Sequence, residues 1–241
     1  MHWTPTPRSD GRTHEAALIP AGRPIRVVGD VHGEAEAFAA ACATDRFIVQ
    51  LGDLTDRGPD SASVLRRALA LREAGRGLFL LGNHDHKLRR ALLGRVSRMD
   101  ADLVGTIAAL DPGLRAAAIS AIATAPAWLR HRDAFFVHGG FHTAMLDRPP
   151  PEDAGAARPD ALVARALFGE TTGRVQADGY PERVYRWVDR IPPGLTVYCG
   201  HSVRSTDGRP LVQRGALGGN AVFLDTGAGK GGHLSWIDLP F

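Results

Sequence analysis

The sequence has little cysteine, little lysine and no long hydrophobic run, and each shortage excludes a class of protein. Its two cysteines, Cys42 and Cys199, are too few for a disulfide framework and are typical of a reduced, cytoplasmic protein. No apolar run approaches the roughly 18 residues that a membrane-spanning helix needs, and no secretory leader pattern is found. We therefore expect neither secretion nor membrane insertion, and no membrane partner.

Lysine is represented only by Lys87 and Lys230, so arginine supplies nearly all of the positive charge. The net charge of +3 gives only weak support for nucleic-acid binding. Arginine also suits a phosphate-binding cleft, because its planar guanidinium matches the geometry of phosphate oxygens. The charge balance therefore leaves the nature of the partner open.

The composition is that of a globular chain, with 241 residues, 44% of them hydrophobic and 23% charged. A chain of this length can form a core without disulfides or a structural metal, so a bound metal would serve chemistry. Residues 1–24 are polar and interrupted by prolines, and we expect a loosely held lead-in there. Residues 25–241 are expected to form a single domain.

Three apolar runs, Ile25 to Val28, Phe47 to Leu51 and Leu78 to Leu81, are each followed by a turn and a helical stretch. This repeated order of strand, loop and helix predicts a layered α/β fold with buried strands. Residues 95–130 are rich in alanine and are predicted to form a helical insert beside the candidate site that the polar residues after the strands would form. Further short strands are predicted after it, in a second sheet layer: Ala134 to Val137, Thr196 to Cys199, Ala221 to Leu224 and Leu234 to Leu239.

Polar residues follow the predicted strands, at the strand ends where α/β proteins gather their ligands. Their side chains supply oxygen and imidazole donors without a thiolate, in the set Asp30, His32, Asp53, Asn83, His138 and His201. Such donors suit manganese, iron or zinc, and six are too many for one tetrahedral zinc. We therefore expect two divalent metal ions, manganese first and iron or zinc as alternatives, with Asp53 able to bridge them.

The motif series GDVHG, GDLTDRG, GNHD, VHGG and GHS resembles the calcineurin-like metallophosphoesterase superfamily, and Asp56-Arg57-Gly58 resembles its phosphoprotein-phosphatase branch. The segments GNHDHKLRRALLG, ALFGETTG with DGYPERVYRWV, and LDTGAGKGGHLSWI are similar to the phosphatase module of bacterial polynucleotide kinase-phosphatases. The resemblance implies a four-layer α/β fold in which two β-sheets are sandwiched between helices. It also implies two ligand sets that share Asp53: Asp30, His32, Asp53 and His201 for one ion, and Asp53, Asn83 and His138 for the other.

The resemblance further implies that a water or hydroxide between the two ions is the nucleophile. It leaves His84 free of metal, oriented by Asp56, as a general acid for the leaving group. Arg57 is implied to hold the phosphate oxygens.

Three assignments around this set are less specific. Asp225 is implied to support His201 or another metal ligand from behind. A second arginine on the phosphate is left open between Arg183 and Arg186. Asp85 stands where eukaryotic serine/threonine phosphatases carry glutamate, which weakens the case for protein phosphatase specificity.

The expected function is metal-dependent hydrolysis of phosphomonoesters in the cytoplasm, on a phosphoprotein, a nucleotide or a nucleic-acid end. One alternative is a dinucleoside polyphosphate hydrolase similar to the symmetrical tetraphosphatases. A further alternative is a catalytically silent nucleic-acid-binding module. No organic cofactor is expected, because the glycines at 227, 229 and 232 lack the strand and helix of a dinucleotide-binding motif.

Overall fold

The structure, a computed structural model, describes residues 18–177, 179 and 181–240. Residues 1–17 of the expected lead-in therefore lie outside the described residues. Within the remainder of that segment, Ile19 is only 1% exposed and packs in the core with Ile25. The buried part of the chain thus includes at least one residue before the first strand.

The first sheet has four strands in the order β11-β1-β2-β3. Its strands are β1 (Ile25–Val28), β2 (Phe47–Gln50), β3 (Gly77–Phe79) and β11 (Trp236–Leu239). The first three are parallel and β11 pairs antiparallel with β1 at the edge. The prediction that the strand at Leu234 to Leu239 lies in the second sheet is therefore wrong, because its backbone pairs with β1. The helices that follow the parallel strands are α1 (Ala35–Ala41), α2 (Ser61–Glu73) and α3 (Asn83–Leu92).

The second sheet has five strands in the order β4-β5-β8-β10-β9. Its strands are β4 (Trp128–His131), β5 (Ala134–Val137), β8 (Thr196–Cys199), β9 (Leu211–Arg214) and β10 (Asn220–Phe223). Within it β5, β8 and β10 are parallel, and β4 and β9 are antiparallel edge strands. A separate two-stranded hairpin is formed by β6 (Glu170–Val175) and β7 (Pro181–Val184).

Neighbouring residues of each central strand face different parts of the core. Val27 and Phe136 belong to a cluster that contains residues of both sheets, whereas Val28 and Phe135 belong to the cluster that contains the helices. This alternation follows from the two-residue period of a strand, and it requires apolar residues on both faces. The predicted α/β fold with two sheets and flanking helices is confirmed.

The helical insert consists of α4 (Ala101–Ala109) and α5 (Pro112–Ala123), each capped by the aspartate before it. Both contact α2 and α3. The last residues of the expected insert differ from the prediction, because Trp128–His131 pairs with β5 as a strand. In the described chain no single helix is long and apolar enough to span a membrane; α4 and α5 pass that test only together, bent by 117°. The remaining helix, α6 (Ala161–Phe168), precedes the hairpin.

Candidate active site

All six predicted metal ligands follow strands, and the structure gathers them at one edge. Asp30 and His32 follow β1, Asp53 follows β2, and Asn83 is the first residue of the helix after β3. His138 and His201 follow β5 and β8 of the second sheet. Because β1, β2 and β3 are parallel, as are β5 and β8, their carboxyl ends point the same way within each sheet. The site therefore lies where the ends of the two sheets meet.

Two overlapping groups of side chains could each hold a metal ion. They are His32, Asp53 and His84 in one group, and Asp53, His138 and His201 in the other, with donor atoms within 4.8 Å of one another in each. Asp53 Oδ1 lies 3.4 Å from His138 Nε2 and its Oδ2 lies 3.7 Å from His32 Nε2. The two oxygens of one carboxylate thus face different imidazoles, as a bridging ligand requires.

The histidines are oriented by the backbone behind them. His32 Nδ1 lies 3.0 Å from the carbonyl oxygen of Thr55, and His138 Nδ1 lies 2.9 Å from that of Leu51. A carbonyl oxygen only accepts, so each Nδ1 carries a proton and each Nε2 faces the site. His138 Nε2 is also 3.0 Å from Asn83 Oδ1. This set of oxygen and imidazole donors fits a pair of divalent ions.

Asp30 joins the two halves of the site. Both of its carboxylate oxygens accept from the backbone N–H of His201, at 3.1 and 3.0 Å. Its Oδ2 lies 3.9 Å from His32 Nε2, so Asp30 is near the first ligand group without belonging to it. A side chain at position 200 would collide with the Asp30 carboxylate, which explains why Gly200 precedes the histidine.

The backbone around the site is strained. Of the six described non-glycine residues with positive φ, five belong to this site: His32, Asp53, Asp56, Arg57 and His201. A left-handed conformation costs an L-residue about 1–2 kcal/mol, so the surrounding fold must hold these residues in place.

Asp85 is one such support. Its carboxylate accepts from the backbone N–H of Asp53 at 2.8 Å, of Leu54 at 3.1 Å and of Gly82 at 3.1 Å. Burial, followed by the charge of Asp53, raises the pKa of Asp85 to about 6. Asp85 therefore fixes the turn that presents the shared carboxylate.

His84 and Asp56 form the predicted carboxylate–imidazole pair. His84 Nδ1 lies 2.6 Å from Asp56 Oδ2, and the other oxygen of Asp56 accepts from the hydroxyl of Thr106 at 2.8 Å. Asp56 is fully buried while His84 remains 13% exposed, so the imidazole faces the cleft. His84 Nε2 is 3.2 Å from Arg57 Nη2, and Arg57 Nη1 donates to His32 Nε2 at 2.8 Å.

The buried charges form an ion pair in the protein without bound metal. Burial acts to lower the pKa of His138, but the negative charge of Asp53 outweighs it and raises that pKa to about 9. Burial also acts to raise the pKa of Asp53, and the neighbouring imidazoles, His138 first, hold it well below its usual range. Burial lowers the pKa of His32 to about 3 and that of His201 well below its usual range. His32 and His201 are thus neutral, as metal ligands must be.

The site opens into a cleft of about 810 Å³ whose walls differ in character. Arg57, Arg183 and Lys230 contribute positive charge to its lining. Phe168 and Val203, which are 44% and 37% exposed, contribute apolar surface. The cleft therefore combines cationic and apolar surface.

The structure separates the two candidate arginines. Arg183 lines the cleft, where its Nη1 donates to the carbonyl oxygen of His201 at 3.1 Å and lies 3.2 Å from Ser202 Oγ. The side chain of Arg186 is 70% exposed and lies 3.7 Å from Glu170. Arg183 is thus the one of the two that is held beside a predicted metal ligand.

Asp225 is buried behind the site. Its Oδ1 accepts from the backbone N–H of Gly227 at 3.0 Å, and its charge contributes, after burial, to a pKa of Asp30 well above the usual range. Lys230 Nζ lies 4.0 Å from Asp225 Oδ2.

Three residues at the site in the structure are not among those predicted from the sequence: Thr106, Phe168 and Lys230. Thr106 lies 50 positions from Asp56 in the insert, and no local pattern marks it. The GAGKGG segment was a signal for Lys230, since glycines on both sides let a loop carry one charged side chain into a cleft.

Comparisons with known proteins place the chain among phosphohydrolases. It is 26% identical over 239 residues to the asymmetrical bis(5'-nucleosyl)-tetraphosphatase PrpE of Geobacillus thermodenitrificans, covering 90% of each chain. It is 26% identical over 238 residues to the symmetrical bis(5'-nucleosyl)-tetraphosphatase of Ralstonia nicotianae, covering 91% of this chain and 75% of that one.

Among solved structures, a protein serine/threonine phosphatase from Saccharomyces cerevisiae superposes with a TM-score of 0.61 at 16% identity, covering 92% of this chain and 74% of that one. This likeness shows a shared fold. The family model of the calcineurin-like phosphoesterases matches residues 23–204, a span that contains all six predicted ligands and the His84–Asp56 pair. The chain is therefore a member of the calcineurin-like phosphoesterase family.

Proposed function

We propose that this protein uses two divalent metal ions to hydrolyse dinucleoside polyphosphates. The observation that carries the proposal is the pair of ligand groups that share Asp53, in the same cleft as the His84–Asp56 pair. The names of the relatives that align over nine-tenths of the chain support the substrate class.

The assignment of ligands to the two ions follows the family resemblance. Asp30, His32, Asp53 and His201 would hold one ion, and Asp53, Asn83 and His138 the other, although in the structure the donor atom of His201 lies in the group of Asp53 and His138, and that of His84 in the group of Asp53 and His32. When bound, the ions would supply the Lewis acidity that activates water for attack on phosphorus and neutralises phosphate charge. Manganese is proposed first, because oxygen donors are mixed with imidazole, and iron and zinc remain alternatives.

Arg57 is proposed to bind the phosphate that is attacked. Its guanidinium lies between His32 and His84, with Nη1 donating to His32 Nε2. An ion on His32 Nε2 would take that lone pair, which frees Nη1 for a phosphate oxygen. A guanidinium can then hold two phosphate oxygens at once.

His84 is proposed to hold the proton for the leaving group at Nε2, while its Nδ1–H donates to Asp56. The buried Asp56 fixes the orientation of the imidazole. An alkoxide needs such a proton, whereas a nucleotide phosphate is a better leaving group and needs it less.

The acid pair therefore favours a second candidate function, the hydrolysis of phosphomonoesters. Phosphoproteins, nucleotides and nucleic-acid ends stay in the proposal as its substrates. The resemblance to the polynucleotide-repair phosphatase module stays a prediction, which phosphorylated oligonucleotides as substrates would test. The proposed location is the cytoplasm, which two free, buried cysteines support.

The experiment is a substrate screen with protein stripped of metal and resupplied separately with manganese, iron or zinc. The substrates are diadenosine tetraphosphate, a phosphopeptide, oligonucleotides phosphorylated at either end, and p-nitrophenyl phosphate. We expect metal-dependent release of nucleotides from the tetraphosphate, resolved by chromatography. Asp53→Asn, which keeps the shape of the shared ligand, should lose both metal binding and turnover.

No turnover of any substrate with any of the three metals would refute the enzymatic proposal. Salt-sensitive oligonucleotide binding in its place would support the catalytically silent module.

A further inference from the structure

Lys230 is a cation in the catalytic cleft that the proposed chemistry does not use. It lines the same cleft as Arg57, His84 and Asp53. Its side chain is 37% exposed, so the ammonium group can reach a ligand in the cleft. The other lysine of the chain, Lys87, pairs with Asp100 on the insert side and does not line this cleft.

Behind Lys230 lies a buried carboxylate oxygen. Asp225 Oδ2 is inaccessible to solvent and has no hydrogen-bond partner among the described residues. Lys230 Nζ, at 4.0 Å, is close enough for charge attraction but too far for a hydrogen bond. The carboxylate thus attracts the ammonium group without occupying any of its three N–H donors.

The loop that carries Lys230, residues 225–233, is tightly held. The backbone N–H groups of Lys230 and Gly232 both donate to the carbonyl oxygen of Gly227, each at 2.9 Å. Gly229 has φ +69° and packs so closely on His32 and Arg57 that a Cβ there would lie 2.8 Å from His32 Cβ. Lys230 is therefore presented from a fixed position next to the residue proposed to bind the attacked phosphate.

We infer that Lys230 is a specificity-determining residue that binds a phosphate adjacent to the one under attack, and so favours polyphosphate chains over single phosphate esters. This inference rests on the proposed function. It adds that Lys230 recognises the polyphosphate chain of the substrate.

The number of cations that line the cleft supports this role. Arg57 and the two ions would neutralise the single phosphate of a monoester. A polyphosphate brings further negative oxygens along its chain, and a compact ammonium group with three donors suits them. Arg183, held by the His201 carbonyl oxygen, supplies a second cation to the same chain.

The test compares two substrates on the manganese-loaded enzyme, diadenosine tetraphosphate and p-nitrophenyl phosphate. The quantity measured is the ratio of their kcat/KM values. For Lys230→Met we expect that ratio to fall at least about ten-fold, which is the effect of losing a charged hydrogen bond. Lys230→Arg, which keeps a cation, should retain part of the preference. Lys87→Met is the matched control and should leave the ratio at the wild-type value.

Removing Lys230 leaves Asp225 buried without a nearby cation, so folding and metal content must be measured alongside. If Lys230→Met does not fold, the double variant Lys230→Met/Asp225→Asn removes both charges and should show the same fall in ratio.

A ratio within two-fold of wild type in the folded variant would overturn the inference. So would an equal loss on both substrates with reduced manganese content, because Lys230 would then support the metal site. Wild-type enzyme that cleaves the aryl ester but not the tetraphosphate would overturn the substrate class as well. The proposed hydrolysis of dinucleoside polyphosphates fails in that case, or if wild type turns over nothing. Failure of the Lys230 inference alone leaves cleavage of the tetraphosphate by wild type intact, so the two failures are distinguishable.

Discussion

Replacing Asp56 with asparagine should slow substrates in proportion to how badly their leaving group needs a proton. Asp56 is fully buried, its Oδ2 lies 2.6 Å from His84 Nδ1, and Thr106 donates to its other oxygen at 2.8 Å. Asparagine keeps the shape, and its amide oxygen can still accept from His84 while its NH₂ group donates to Thr106 Oγ1. What the variant loses is the negative charge beside His84.

A hydrogen bond to a charged group contributes about 1.5–3 kcal/mol. If that energy is available only while His84 carries its proton, Asp56→Asn should lower kcat/KM by about ten- to 150-fold for an alkyl phosphate. The activated p-nitrophenyl ester should slow by much less, and His84→Gln should show the same pattern. The assay is phosphate release from both esters by manganese-loaded protein.

Metal content and thermal unfolding of the variant should match wild type. Asp102→Asn, an isosteric change at an exposed position of α4, is the control and should leave both rates unaltered. Equal slowing of the two esters would refute the assignment of His84 as the acid.

Three further outcomes are expected. Because His138 has a pKa of about 9 in the protein without metal, it is protonated at pH 7.5, and metal loading should release about one proton from it. The apparent metal affinity should therefore fall as the pH drops below 9. Calorimetry in two buffers of different ionisation enthalpy measures the proton release. Burial raises the pKa of Cys42 to about 11 and that of Cys199 well above its usual range. Neither thiol should therefore react with an aromatic disulfide reagent at pH 8 until the protein is unfolded. Fast labelling of native protein would contradict this expectation. Gly200→Ala should reduce metal binding and lower the unfolding temperature, because the methyl group of the alanine would displace the Asp30 carboxylate. Unchanged metal binding would show instead that the turn can relax.

The ligand positions were predictable from the sequence because a simple topological rule governs them. Polar residues after parallel strands meet at one sheet edge, so Asp30, Asp53 and Asn83 could be placed together without knowing the pairing of the strands. The central strands themselves were predictable, since burial on both faces makes them continuous apolar runs.

Other features depend on tertiary contacts and left no local signal. The hairpin of β4 and β5 turns at Arg132 with φ +55°, where a glycine or asparagine would have marked the turn. The strand β6 is largely exposed, so it carries no apolar pattern to read. The link from Thr106 to Asp56 joins the insert to the site across 50 positions and exists only in the folded chain.

The two sheets contribute different ligands, and this divides the site along the boundary between them. Asp30, His32, Asp53 and Asn83 extend from the first sheet, and His138 and His201 from the second. An ion held by ligands from both sheets would add a removable cross-link to the apolar packing and to the hydrogen bonds that join them, such as those from His201 to Asp30 and between His138 and Leu51. Bound ions would then link the two sheets as well as activate water.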